Sequence, residues 1–239
     1  MARSSPSSHS TIAPPRPPAG VEHRFARCGG APREQPADGD TTGRALLLAH
    51  LISMACLPPL LAIATLIVLS THTSTDPLEA AWVALVSSFF VAVAPAAYVG
   101  YLLKRQKIAG GVDLVLKEER CRPYLVGAGS CLVGLLVLVR LSAPQPVSVL
   151  ALSYGVNALV MALITQRWKI SAHAAGAAMP VSVLLTTFGT PALPLAAIVP
   201  VVCWARVKAE MHTVAQVCAG ALLGFAMTSL ELVLLAPHR

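Results

Sequence analysis

From residue 44 onward the chain is built of long apolar blocks separated by short polar ones, with no period-two alternation. The blocks cover about 44–70, 78–103, 124–141, 147–165, 172–188, 191–205 and 212–235. Several of them are near the roughly 20 helical residues that cross a bilayer core of about 30 Å. The pattern predicts an all-α, multi-pass transmembrane helical bundle of about six to seven helices. Pro58 and Pro59 predict a kink in the first block, because proline removes a helical donor and clashes with the preceding turn. Pro180, Pro191, Pro194 and Pro200 interrupt the fifth and sixth blocks.

Residues 1–43 differ in kind. "MARSSPSSHSTIAPPRPPAG" is rich in Ser, Pro, Arg and Gly and lacks the apolar core of a signal peptide. Such a segment buries too little apolar surface to offset its ordering entropy, so a disordered N-terminal tail is expected, followed by a membrane domain over 44–239. Glu22, Glu34, Asp38 and Asp40 argue against an organelle-targeting presequence.

Composition agrees with the pattern: the 239 residues are 55% hydrophobic and 12% charged. The net charge of +7 does not point to nucleic acid, since the bases are not interleaved with aromatics on a soluble domain. It points to topology instead. The polar intervals "KRQKIAGGVDLVLKEERCRP", "QRWKISAH" and "RVKAEMH" follow two, four and six passes, so they share one side with the N-terminal tail. Of 18 Lys and Arg, only Arg140 and Arg239 fall on the other side. The excess of bases makes the shared side cytoplasmic, in a multi-pass protein expected in the plasma membrane. The six cysteines form no Cys-x-x-Cys pair and read as small apolar residues, with neither a metal site nor a disulfide framework.

Within these intervals lie three clusters: "KEERCRP" (Lys117–Pro123), "KISAH" (Lys169–His173) and "RVKAEMHTVAQ" (Arg206–Gln216). Converging Lys and Arg make an anion site, the guanidinium as a planar fork and the ammonium as a point charge. Histidine is suited to proton transfer or nucleophilic attack near neutral pH. His212 and Gln216 are four apart, so on one helix face the amide carbonyl can hold one ring nitrogen and aim the other outward. Bland readings stand beside these. Lys208 reads as a topology anchor, Arg167 and Trp168 as an interfacial belt, and residues 117–120 as a solvated helix face.

In order and spacing the clusters resemble the three motifs of the type 2 phosphatidic acid phosphatase superfamily: Lys-x6-Arg-Pro, Pro-Ser-Gly-His and Ser-Arg-x5-His-x3-Asp. Arg206 and His212 reproduce the Arg-x5-His spacing, with Gln216 at the aspartate position. Ser171 and His173 match the second motif, with Ile170 and Ala172 as departures. Arg122 and Pro123 match the end of the first, whose lysine is displaced to Lys117. The resemblance implies a membrane phosphatase acting on a lipid or polyprenyl phosphate or pyrophosphate. His212 would be the nucleophile that becomes phosphohistidine, and His173 the acid for the leaving group. Arg122, Arg206, Ser171 and Lys117 would hold the phosphate, with Arg120 an alternative to Lys117 and Lys169 a further candidate. No metal or other cofactor is implied, and no partner beyond the lipid substrate. Gln216 orients without supplying the charge of a carboxylate; Glu210 is a nearby acid but two residues from His212. These departures also fit a non-catalytic relative. A transporter or a haem-binding electron carrier remains the alternative class. The first calls for broken helices with polar groups at the midplane, and the second for two histidines within facing helices.

Overall fold

The computed structural model describes residues 39–105, 107 and 120–235, with side chains from Gly43 on. Lys117, the tail to residue 38 and the last four residues lie outside the described residues. Asp40–Arg239 forms one compact unit. Among the described residues all regular structure is helical. The helices are α1 (Gly39–Ala55), α2 (Pro58–Thr73), α3 (Pro77–Lys104), α4 (Cys121–Arg140), α5 (Gln145–Thr165), α6 (Ala172–Phe188), α7 (Thr190–Lys208) and α8 (Val214–Leu234). The first begins at Gly39, within the stretch expected as tail.

Five of these, α3, α4, α5, α7 and α8, are long and apolar enough to cross a membrane. Counting α1 and α2 as one bent span makes a sixth. The break falls where the prolines require it: α1 stops at Ala55, Pro58 and Pro59 open α2, and the two are inclined by 49°. Pro95 acts differently. The chain makes a π turn over Phe89–Val93 just ahead of it, and the Phe90 carbonyl accepts from the Ser130 hydroxyl of α4 at 2.6 Å. Pro191 and Pro194 are absorbed in a 3-10 turn over Thr190–Ala197 that leads into the α-helical part of α7.

At 17 residues α6 is apolar but shorter than the five candidate spans, and it is the central helix. Positions 173–184 are all buried, packed among α2, α5, α7 and α8. Small residues permit this. A Cβ on Gly220 would lie 2.4 Å from the Ser171 carbonyl oxygen, and one on Gly224 would lie 2.5 Å from that of Ala175. The four-residue spacing on each helix lets α8 lie directly on the backbone of α6. Gly176, on another side of α6, meets the Pro58 ring in the same way, at 2.7 Å. The central helix is thus gripped at its N-terminal half from two sides, which fixes the position of His173.

Candidate active site

The described parts of the three polar clusters meet at one end of the bundle, through direct bonds between segments far apart in sequence. Arg120, immediately before α4, donates from its guanidinium to the Ile170 carbonyl at 2.9 Å. Lys169 donates from Nζ to the Met211 carbonyl at 2.9 Å, tying the α5–α6 loop to the α7–α8 loop. The Ser171 N–H donates to the Gln216 carbonyl at 3.3 Å, joining the starts of α6 and α8. Ser171 also caps α6, its hydroxyl accepting from the Ala174 N–H at 3.4 Å.

The turn carrying His212 is closed from both ends. At the C-terminus of α7 the Arg206 carbonyl accepts from the N–H groups of Met211 at 3.1 Å and His212 at 3.3 Å. This reversal needs a left-handed residue, and Glu210 supplies it with φ of 56°. Thr213 then caps α8 in a reciprocal box: its hydroxyl accepts from the Gln216 N–H, and the Gln216 Oε1 accepts from the Thr213 N–H at 3.1 Å.

That box determines the tautomer of His212. Because the Thr213 amide can only donate, the Gln216 atom facing it is the carbonyl oxygen. The same oxygen lies 3.1 Å from His212 Nδ1. Nδ1 must therefore carry the proton, which leaves the lone pair on Nε2. The ring is also held neutral. Burial first, then the charges of Arg120, Lys169 and Arg206, push the His212 pKa down to about 3, against a smaller upward pull from Gln216.

Burial separates two adjacent candidates. Arg120 and Arg206 are 2% and 1% exposed, whereas Arg122 is exposed. Two residues on a helix differ by about 200°, so with Arg120 turned inward Arg122 points away. Arg120, Lys169, Arg206, Gln216 and His212 therefore come together, and Ser171 joins them through its backbone. His173 is buried in the first turn of α6, two residues beyond Ser171. Glu210 is exposed and is not among the groups acting on His212. Tyr124 and Thr213 are additions to the expected set. The Tyr124 hydroxyl is a hydrogen-bond partner of Arg120. Thr213-x-x-Gln216 is a capping-box pattern readable in the sequence; nothing in the sequence marks Tyr124.

Among the described residues no three His, Cys, Asp or Glu side chains gather as a metal ion would need. Cys56, Cys121, Cys131, Cys203 and Cys218 are free thiols. Chemically, the arrangement offers a neutral imidazole with a directed lone pair, surrounded by positive charge from three segments. No protein-family model matches this chain, nor does any curated protein or solved structure.

Proposed function

We propose that the protein is a multi-pass integral membrane phosphatase, similar to the type 2 phosphatidic acid phosphatases, that removes phosphate from a lipid or polyprenyl phosphate or pyrophosphate. The observation that carries this reading is His212: Nδ1–H held by Gln216, Nε2 unprotonated, and Arg120, Lys169 and Arg206 close enough to act on the ring. The cations that keep the imidazole neutral are also the charges a phosphate needs. The N-terminal end of α8, with its partial positive charge, lies beside the same ring.

In this mechanism Arg120, Arg206 and Lys169 hold the phosphate, and His212 Nε2 attacks phosphorus in line. The P–N bond forms as the bond to the lipid oxygen breaks, and that oxygen takes a proton from His173. Water then attacks phosphorus and gives a proton to His173. The P–N bond breaks, and inorganic phosphate leaves with His212 neutral again. The lipid tail stays among the apolar helices throughout. The positive-inside bias of the intervals carrying the site argues for the cytoplasmic face of the plasma membrane.

The test is phosphate release from phosphatidic acid and from a polyprenyl phosphate by detergent-purified protein with EDTA present. Release is expected from the wild type and not from His212→Ala or His173→Ala. Release that survives both substitutions would overturn the mechanism.

A further inference from the structure

A cavity of about 200 Å³ lies between α2, α3, α4, α5 and α6. Its lining runs from Val99 to Val91 on α3, Tyr124 to Cys131 on α4, Met161 to Tyr154 on α5 and Ala172 to Met179 on α6. Each stretch is seven or eight residues long, so at about 1.5 Å per residue the cavity is about 11 Å deep. That is roughly three-quarters of one leaflet of a bilayer core about 30 Å thick. One end adjoins the candidate active site: the Tyr124 hydroxyl is bonded by Arg120, and Ala172 stands between Ser171 and His173. Away from that end the wall is almost wholly apolar. Even its polar residues turn their polar atoms away. The Tyr154 hydroxyl and Asn157 Oδ1 have essentially no surface open to water, and Asn157 Nδ2 donates to the Ser153 carbonyl at 2.9 Å.

We propose that this cavity receives the first carbons of the substrate's chain and selects an alkyl or prenyl phosphate, hydrocarbon from the phosphoester oxygen onward, over a glycerolipid phosphate. The inference rests on the phosphatase reading of the polar cluster. With the phosphate against Arg120, Lys169 and Arg206, the part of the chain nearest phosphorus enters past Tyr124 and Ala172. In a glycerolipid that part carries the fatty-acid ester groups. An ester carbonyl there gives up its water against an apolar wall, which is unfavourable. A hydrocarbon gives up no hydrogen bond and gains contacts in space that is otherwise empty. A cavity of roughly 150 Å³ takes the six carbons of benzene, so this one takes about eight. The remainder of a longer chain lies outside it.

The test uses the full chain purified in detergent and two phosphate monoesters, decyl phosphate and 2-(heptanoyloxy)ethyl phosphate. Their chains have equal numbers of atoms and differ by one ester group. At equal free concentration kcat/KM for phosphate release should favour the decyl compound at least about fivefold. A decylphosphonate with a diazirine toward the end of its chain should label the cavity-lining peptides of α5 and α6, and inorganic phosphate should compete. Ala158→Leu, which fills the cavity from α5, and Val99→Phe, which narrows it from α3, should each reduce the preference to about twofold or less. Equal release from the two esters, abolished for both in His212→Ala, overturns this inference and leaves the phosphatase reading standing. Label confined to the outward-facing surfaces, with release intact, does the same, as does an unchanged preference in either variant when it is monodisperse. Absence of release from both esters overturns the phosphatase reading and this inference with it.

Discussion

Replacing Gln216 with glutamate would place a carboxylate where the amide now stands, 3.1 Å from His212 Nδ1, without changing side-chain length. The capping box survives, because a glutamate oxygen accepts from the Thr213 N–H as the amide oxygen does. In the wild type the imidazolium is disfavoured by burial and by three cations, which puts the His212 pKa at about 3. With charge centres about 4 Å apart and an effective dielectric constant of about 20, the added attraction is about 4 kcal/mol, or about 3 pKa units. Opposite charges at such separations shift pKa values by roughly 1–3 units, so His212 in Gln216→Glu should titrate between about 4 and 6. The consequence for stability has a definite sign. With a folded pKa of about 3 and an unfolded value near 6.5, the unfolded state binds the extra proton between those limits. The stability contributed by neutral His212 is therefore complete above pH 6.5. It falls by up to about 1.4 kcal/mol per pH unit as the pH drops toward 3. In Gln216→Glu the window narrows to between about 6.5 and the raised pKa. The assay is ¹⁵N-histidine NMR of the detergent-solubilised protein between pH 4 and 8, with the His212 signal assigned by its loss in His212→Gln. In the wild type Nδ1 should show the protonated-nitrogen shift and Nε2 the unprotonated one across the whole range. A wild-type His212 that titrates near 6.5 would refute the burial and charge argument. An unshifted pKa in Gln216→Glu would refute the Gln216 contact. On the phosphatase reading the same carboxylate supports the positive charge the ring gains on attack, so turnover should rise.

The neighbouring arginines should separate cleanly: Arg120→Ala deprives the Ile170 carbonyl of a charged donor and should cost about 1.5–3 kcal/mol, against less than about 0.5 kcal/mol for Arg122→Ala. Thermal unfolding in detergent reads the stability, and on the phosphatase reading phosphate release should fall only in the first. Gly220→Ala sets a methyl 2.4 Å from the Ser171 carbonyl and must push α8 off α6, at about 1–3 kcal/mol. Gly129→Ala, with nothing within 4 Å of its Cβ, should be neutral or up to about 1 kcal/mol stabilising on the same thermal scale. Glu210→Gly relieves a left-handed backbone at an exposed position and should raise stability by about 1 kcal/mol or less, leaving the His212 NMR signals in place.

The helices were legible because long apolar blocks and proline positions act locally. A block of 20 apolar residues has few alternatives to a helix, and Pro58 breaks the first block wherever the rest of the chain goes. What each proline does beyond its own turn was not legible. Pro58, Pro95 and Pro180 look alike in sequence, yet the first opens a bent pair, the second follows a π turn and the third is accommodated inside α6. The difference lies in the neighbours. Ser130 is there to take the Phe90 carbonyl ahead of Pro95, and no local rule places Ser130 beside it. The centrality of α6 is hidden for the same reason, since a helix buried on all sides and one facing lipid are equally apolar.

The site divides along the same line. Parity along the chain puts three basic intervals on one side, but it cannot say which side chain within an interval faces inward. Arg120, not the arginine of the Arg122–Pro123 match, is the buried one and is among the charges acting on His212, while Arg122 is exposed. Glu210 could not be recognised as the left-handed residue of the turn, because glycine is the usual marker of that conformation. Gln216 could be, because a four-residue spacing and a Thr-x-x-Gln pattern are both local. Together they explain why an amide serves here. One oxygen accepts from Thr213 to cap α8 and from His212 to fix its tautomer, and neither task needs charge. A carboxylate does both and also raises the basicity of the ring. With Gln216 the imidazole is kept unprotonated far into acid, at the expense of support for its cation. On the phosphatase reading, a nucleophile so arranged depends on the phosphate itself, lying against Arg120, Lys169 and Arg206, to offset the positive field before attack. On that reading occupancy of the anion site and reactivity of His212 are coupled, and binding of inorganic phosphate should raise the His212 pKa beyond the small upward pull of Gln216.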